Sequence, residues 1–257
     1  AEDQTFSYRL LDQFPTIDPQ LIEETAGGHV ARQIFEGLLT QDDQGELRPG
    51  VATEWTSEDN QTWTFTLRQD AMWSNGDPVT AQDFVYAWRR AADPATASEY
   101  AWYVELSQIE GASAVIAGEI PPEELAVEAL DDYTLQVTLQ APLPYFPQMV
   151  VHYTFMPTHQ ATIEEYGADW TSPENIVSNG AYILDEIAVN APETGPDLGD
   201  FSGKGRRKLD RRLVGFDGHH LLPFGNLVTF GHHDFQDLDL VDPFAGILQL
   251  EFVLHRV

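Results

Sequence analysis

Trp63, Phe65 and Leu67 alternate with Thr62, Thr64 and Thr66, a period of two that puts apolar groups on one face of a strand and β-branched hydroxyl residues on the other. Leu125 to Leu130 and the alternating run Tyr133 to Leu139 flank Asp131-Asp132, the pattern of an antiparallel hairpin. Thr5 to Leu11 is a short apolar-rich run compatible with a strand, and Ala181 to Ile187 returns to a strand after an Asn179-Gly180 turn. Helical spacing recurs at Val30, Ile34 and Leu38, with Gly37 near the end, and predicts a helix over 30–39. Ser74-Asn75-Gly76-Asp77 predicts a turn, after which Pro78 delays a helix until Thr80. Thr80 caps that helix, Asp83 faces its positive end, and Phe84, Val85 and Trp88 form its buried stripe before Asp93-Pro94 ends it. His159 to Tyr166 predicts a short helix stopped by Gly167. Strands and helices are interspersed, so the class is mixed α and β.

Charge sharpens this picture. The 257 residues carry 13 Lys+Arg against 42 Asp+Glu, a formal net charge of -29. So acidic a surface repels phosphate backbones and anionic headgroups, which argues against nucleic acid as a partner. No apolar run approaches the roughly 18 to 20 residues a membrane-spanning helix needs, so membrane insertion is not expected. Cysteine is absent, which removes disulfides, thiolate metal sites and Cys nucleophiles together. A chain opening Ala1-Glu2-Asp3 rather than with Met is compatible with export and removal of a signal peptide, and equally with a trimmed chain.

The charge is not evenly spread. Residues 1–190 hold 32 acids and 6 bases, net -26, whereas 191–257 hold 10 acids and 7 bases, net -3. All six Trp, all nine Tyr and all three Met precede residue 183. Nine of the 19 glycines, both Lys and five of the eight His fall in the last 67 residues, which show no sustained period before about residue 246. A separate module, a solvated and disordered tail, or translation in a shifted reading frame would each give such a segment. The shifted frame best accounts for the abruptness of the break.

Signatures of catalysis are missing: no Gly-x-Ser-x-Gly, no phosphate-binding Gly-rich loop and no His-Glu-x-x-His occurs. Acid pairs such as Glu23/Glu24 or Glu164/Glu165 are most simply solvated surface in so acidic a chain. His219-His220 and His232-His233 could bring imidazoles to a metal or a haem, which leaves a small metal or haem carrier as an alternative reading, although adjacent His side chains on a strand point to opposite faces. His29, His152 and His159 stand alone in sequence and default to structural or exposed roles. No cofactor or metal is expected, and a hydrolase built on surface carboxylates is the weakest reading.

The run from Val51 to Arg68, ATEWT through TWTFTLR, and the following Trp73-Ser74-Asn75-Gly76-Asp77-Pro78 to Trp88 closely resemble the signature of the peptide/nickel-type extracytoplasmic solute-binding proteins, family 5. Ile17-Asp18-Pro19, Gln33 to Leu39, Ala92 to Tyr100, Pro144-Tyr145-Phe146 and Asn175 to Tyr182 are similar to its oligopeptide-binding branch, so the resemblance covers about residues 5–190. It implies a two-lobed α/β fold of the periplasmic-binding-protein type, present here in its N-terminal portion only, with an atypical C-terminal tail. The expected division is a first lobe from residues 1–42 and 165–190, an inserted α+β unit over 43–164, and the tail 191–257. The implied function is a monomeric periplasmic receptor, not an enzyme, that captures oligopeptides for the permease subunits of an ABC importer. Glu23, Glu24 and Thr25 match the stretch that pairs with the ligand main chain, and Tyr100 matches an aromatic lining the cleft. Family chains continue beyond the Asn-Gly-Ala-Tyr strand into a second lobe, and the composition of 191–257 does not resemble it. A truncated or frameshifted product with impaired binding is therefore the expectation.

Overall fold

The computed structural model describes residues 5–10, 14–190 and 249–256, with side-chain surroundings for 14–187. Fifteen strands and α-helices are described. They run β1 (Thr5–Leu10), α1 (Thr25–Ile34), β2 (Leu39–Gln41), β3 (Leu47–Pro49), β4 (Ala52–Thr56), β5 (Thr62–Leu67), α2 (Ala81–Ala92), α3 (Ala101–Leu106), α4 (Ala112–Ile116), β6 (Val127–Asp131), β7 (Thr134–Thr138), α5 (Phe146–Met149), α6 (Gln160–Tyr166), β8 (Tyr182–Asn190) and β9 (Gln249–Arg256).

The four-stranded sheet has the order β4-β5-β7-β6, all antiparallel, with Phe65 opposite Leu135 and Trp63 opposite Val137. The alternation in β5 emerges as read from the sequence: Trp63, Phe65 and Leu67 are buried, while the threonines between them are not. Helix α2 packs on this sheet through Phe84, Val85 and Trp88. Its start is the expected capping box, in which the Asp83 carboxylate accepts from the Thr80 backbone N–H at 2.7 Å. Desolvation by burial raises the Asp83 pKa, against the pull of its bonds to Thr80.

A second sheet has the order β1-β9-β8. Strand β9 is central and antiparallel to both neighbours, with Thr5 opposite His255 and Leu10 opposite Leu250 on one side, and Tyr182 opposite Arg256 and Asn190 opposite Gln249 on the other. The register with β8 shifts between Leu184 and Glu186. A two-stranded ribbon, β2-β3, completes the strands. Residues 191–248 of the segment read as atypical lie outside the described residues, as do His219, His220, His232 and His233.

Helix α1 departs from the sequence reading, which placed it over 30–39. It begins at Thr25 and ends at Ile34. Gly27 and Gly28 weaken a helix when judged by propensity alone, but here they admit close neighbours: a Cβ on Gly27 would lie 2.8 Å from the Thr16 carbonyl oxygen. The far end is set by a distant turn. The Asn179 side chain accepts from the Glu36 N–H at 3.0 Å and donates to the Glu36 carbonyl at 2.9 Å, and the Gly180 N–H donates to Ile34 at 2.8 Å. Phe35 is already in extended backbone, and these bonds fix the chain there before Gly37 is reached.

One continuous buried cluster runs from Ile17 through α1, the four-stranded sheet and α2 to Leu184. Among the described residues no helix is long and apolar enough to cross a membrane.

Candidate functional site

Helix α1 buries Ala26, Val30, Ala31 and Ile34. Its other face, Thr25, Gly28, His29 and Arg32, repeats at three- and four-residue intervals and therefore forms one stripe. That stripe, with Glu23 just before the helix, lines a cavity of about 260 Å³ whose opposite side is made by Tyr100, His152 and Tyr153.

The opposite side is fixed by a chain of buried contacts. The Trp88 indole N–H donates to the Phe155 carbonyl at 2.8 Å, and the two rings meet edge to face at 4.8 Å. The Gln20 side-chain amide donates to the Thr154 and Met156 carbonyls at 3.3 and 3.0 Å. These bonds tie the short helical turn Tyr153–Phe155 to the core, and His152 caps that turn by accepting from the Thr154 N–H at 3.4 Å. Tyr100 is placed from another direction, since the Ser98 hydroxyl donates to the Gln20 carbonyl at 2.5 Å and accepts from the Tyr100 N–H at 3.3 Å. Beneath these residues, the Asp18 carboxylate receives Arg90 through two hydrogen bonds of 2.8 and 2.6 Å and the Trp170 indole at 3.0 Å.

Gly28 is required by the cavity floor. A Cβ there would stand 2.8 Å from the Tyr153 ring, closer than side chains pack. The rings around it form a continuous aromatic surface: His152 lies 4.0 Å from Tyr153, 4.6 Å from Tyr103 and 5.0 Å from Tyr100, and Tyr100 lies 5.4 Å from the exposed Trp102. Such a surface offers planar apolar area with polar edges, suited to amides and side chains of varied shape.

The charges are unusual for so acidic a chain. The Arg32 guanidinium is 6.0 Å from the centre of the Tyr153 ring, and desolvation lowers its pKa although the residue is exposed to the cavity. Burial, then the hydrogen bond with Tyr100, pushes the Tyr153 phenol above its ordinary value. Desolvation, then the positive Arg32, depresses His152 to about 4. Its imidazole is therefore neutral at pH 7, and Nδ1 is free of a proton to accept from Thr154.

A histidine held neutral by folding links stability to acid. The folded state binds fewer protons than the unfolded one between the free value of 6.5 and about 4. The contribution is complete above 6.5 and is lost as pH falls toward 4. It amounts to at most roughly 3 kcal/mol, reduced by the solvent that reaches a half-buried ring. An NMR titration of the His152 ring should show a midpoint near 4, rising in Arg32→Gln. A midpoint at the ordinary histidine value in the unaltered chain would contradict the desolvated, neutral ring.

Three of the residues expected from the sequence, Glu23, Thr25 and Tyr100, meet at this cavity. Glu24 does not line it. It occupies the residue before α1, and its buried Oε1 has no hydrogen-bond partner among the described residues. His29, Arg32, His152 and Tyr153 complete the cavity. Nothing local in the sequence marks them, because the His152-Tyr153 pair meets α1 only in the folded chain, where Trp88 and Gln20 hold its turn in place. His159, by contrast, is structural: it meets Thr162 at 2.7 Å and Asp77 at 3.3 Å and packs against Trp73. Among the described residues no group of three or more His, Asp or Glu side chains is arranged to hold a metal ion.

Residues 46–191 match the family model described as bacterial extracellular solute-binding proteins, family 5 Middle. The periplasmic oligopeptide-binding protein OppA of Escherichia coli is 47% identical over 190 residues, 74% of this chain and 35% of that protein. The structure of the Escherichia coli murein tripeptide binding protein MppA superposes with a TM-score of 0.69 at 46% identity, covering 70% of this chain and 35% of that one. Haemophilus influenzae OppA in complex with the peptide RPPGFSPFR gives a TM-score of 0.65 at 48% identity, covering 66% of this chain and 34% of that one. The chain thus spans about a third of the length of these relatives.

Proposed function

Because the chain belongs to the bacterial extracellular solute-binding proteins of family 5, we propose that its described residues form one wall of a peptide-binding cleft in a periplasmic receptor that serves an ABC importer. The observation that carries this reading is the convergence of Glu23, Thr25 and Tyr100, from segments more than seventy residues apart, on one cavity. A receptor that accepts many sequences holds the peptide main chain and leaves side chains in wet, roomy pockets. The segment 23–25 is suited to the first task, since Glu23 and Thr25 are exposed at the cavity edge. The aromatic surface from Tyr100 to Tyr153 is suited to the second. Glu24 enters this reading through its backbone alone, because its carboxylate turns toward Gly27. The role is capture and delivery rather than catalysis, and the permease subunits of the importer are the expected partners of a monomeric receptor.

A peptide lying against a single wall keeps much of its hydration, so the affinity of this chain by itself should be weaker than micromolar. Titration calorimetry with di- to pentapeptides tests the reading. Millimolar to submillimolar binding is expected, and Gly28→Ala should weaken it about tenfold by pushing the Tyr153 ring into the cavity. The same change should leave stability within about 1 kcal/mol, because alanine's better helix propensity offsets part of the crowding. Absence of binding to every peptide would sink the receptor reading for these residues, and micromolar or tighter binding would sink the single-wall argument.

A further inference from the structure

Arg48, Arg68 and Arg90 each sit against a carboxylate, Asp42, Glu36 and Asp18 in turn. Arg32 does not: among the described residues no carboxylate makes an ion pair with it. Instead it donates a long 3.5 Å hydrogen bond to the Val151 carbonyl. In a chain with 42 acids and 13 basic residues, a cation left in a cavity without an acid is conspicuous. Glu23 lines the same cavity, but it lies beyond the opposite end of the helical stripe. The rise from Thr25 to Arg32 alone is about 10 Å, roughly a screening length at ordinary ionic strength.

The surroundings favour an anion. Tyr153 and the neutral His152 ring bring no competing acceptor charge, and the guanidinium, 6.0 Å from the centre of the Tyr153 ring, already feels desolvation, which strengthens a charge pair formed there. A guanidinium presents paired donors that match the two oxygens of a carboxylate. Deepening the peptide-receptor reading on which it rests, we propose that the Arg32 end of the cavity binds a ligand carboxylate, so that the chain prefers peptides with Glu or Asp at the position lying against the last turn of α1.

The test compares tetra-alanine peptides carrying Glu or Gln at each position in turn. At one position the Glu peptide should bind about tenfold more tightly than its Gln twin at pH 7, and the ratio should collapse toward one in Arg32→Gln. Arg32→Lys, which keeps the charge but loses the paired donors, should give an intermediate ratio. The α-N-methylamides of N-acetylglutamate and N-acetylglutamine, which differ only in the side-chain carboxylate, serve as probes independent of peptide binding, read through the ring resonances of His152. The acid should shift them, the amide should not, and Arg32→Gln should abolish the response. Equal affinity within every Glu/Gln pair, with no selective response to the glutamate α-N-methylamide, overturns the proposal. If no peptide binds while the glutamate α-N-methylamide still acts through Arg32, the carboxylate site stands and the peptide-receptor reading falls.

Discussion

Asp18→Ala is expected to destabilise the chain by about 3–5 kcal/mol, the range for removing one partner from a buried ion pair. Asp18 is 1% exposed, and the Arg90 side chain facing it is 14% exposed. Without the carboxylate, the guanidinium keeps one bond, to the Gln20 side chain at 3.0 Å, and the Trp170 indole loses its acceptor. The Gln20 N–H, which donates to the same carboxylate at 3.0 Å, loses its partner too. Restoring shape alone should not help, so Asp18→Asn should also lose most of this stability. Pairing it with Arg90→Met removes the stranded charge and should recover a large part. Urea denaturation followed by tryptophan fluorescence measures all three variants. A loss under about 1 kcal/mol for Asp18→Ala would mean that Arg90 finds water or another acid. Because Gln20 holds the turn carrying His152 and Tyr153, the same variant should also loosen the cavity, seen as faster amide exchange at 153–156.

Gly180→Ala should be nearly as damaging, about 3 kcal/mol, for a purely steric reason. Gly180 is not among the glycines with positive φ, so alanine could adopt its backbone conformation. What alanine cannot do is fit: its Cβ would lie 2.5 Å from the Ile34 carbonyl carbon and 2.7 Å from the Phe35 nitrogen. Both neighbours are main chain and cannot swing aside as a side chain would, so the crowding falls at the upper end of the usual cost of overpacking. The displaced turn would also release the Asn179 bonds that stop α1. Denaturation should show the loss, and hydrogen exchange should show fraying of α1 from Ile34 backward. A stability change under about 1 kcal/mol would show that the turn can move away without penalty.

The sequence was most informative where one element carries its own instructions. The alternation of Thr62 to Leu67 and the Thr80-Asp83 box with its Phe84, Val85 and Trp88 stripe describe their surroundings locally, and both formed as read. Local reasoning failed at α1, because Gly27 and Gly28 look like interruptions until Thr16 and Tyr153 are seen against them. The end of α1 was equally hidden, since the capping side chain comes from Asn179. At the cavity, Glu23, Thr25 and Tyr100 came from likeness to a family rather than from any pattern in the residues. Arg32 and His152 were missed because an arginine among helical residues and a histidine among apolar ones are ordinary in sequence. Only their meeting across the cavity distinguishes them.

The position of β9 bears on how the chain is made. Strands β1 and β8 do not pair with each other, and each finds its hydrogen-bonding partner in residues 249–256. During synthesis from the N-terminal end, β1 must therefore wait, with its backbone groups unpaired, while more than two hundred further residues leave the ribosome. The four-stranded sheet has no such delay, because all its strands lie between Ala52 and Thr138. Contacts so far apart in sequence close slowly, and open strand edges are what chaperones and other nascent chains bind. The chain should thus emerge with its four-stranded sheet formed early and its three-stranded sheet open until synthesis has passed residue 256.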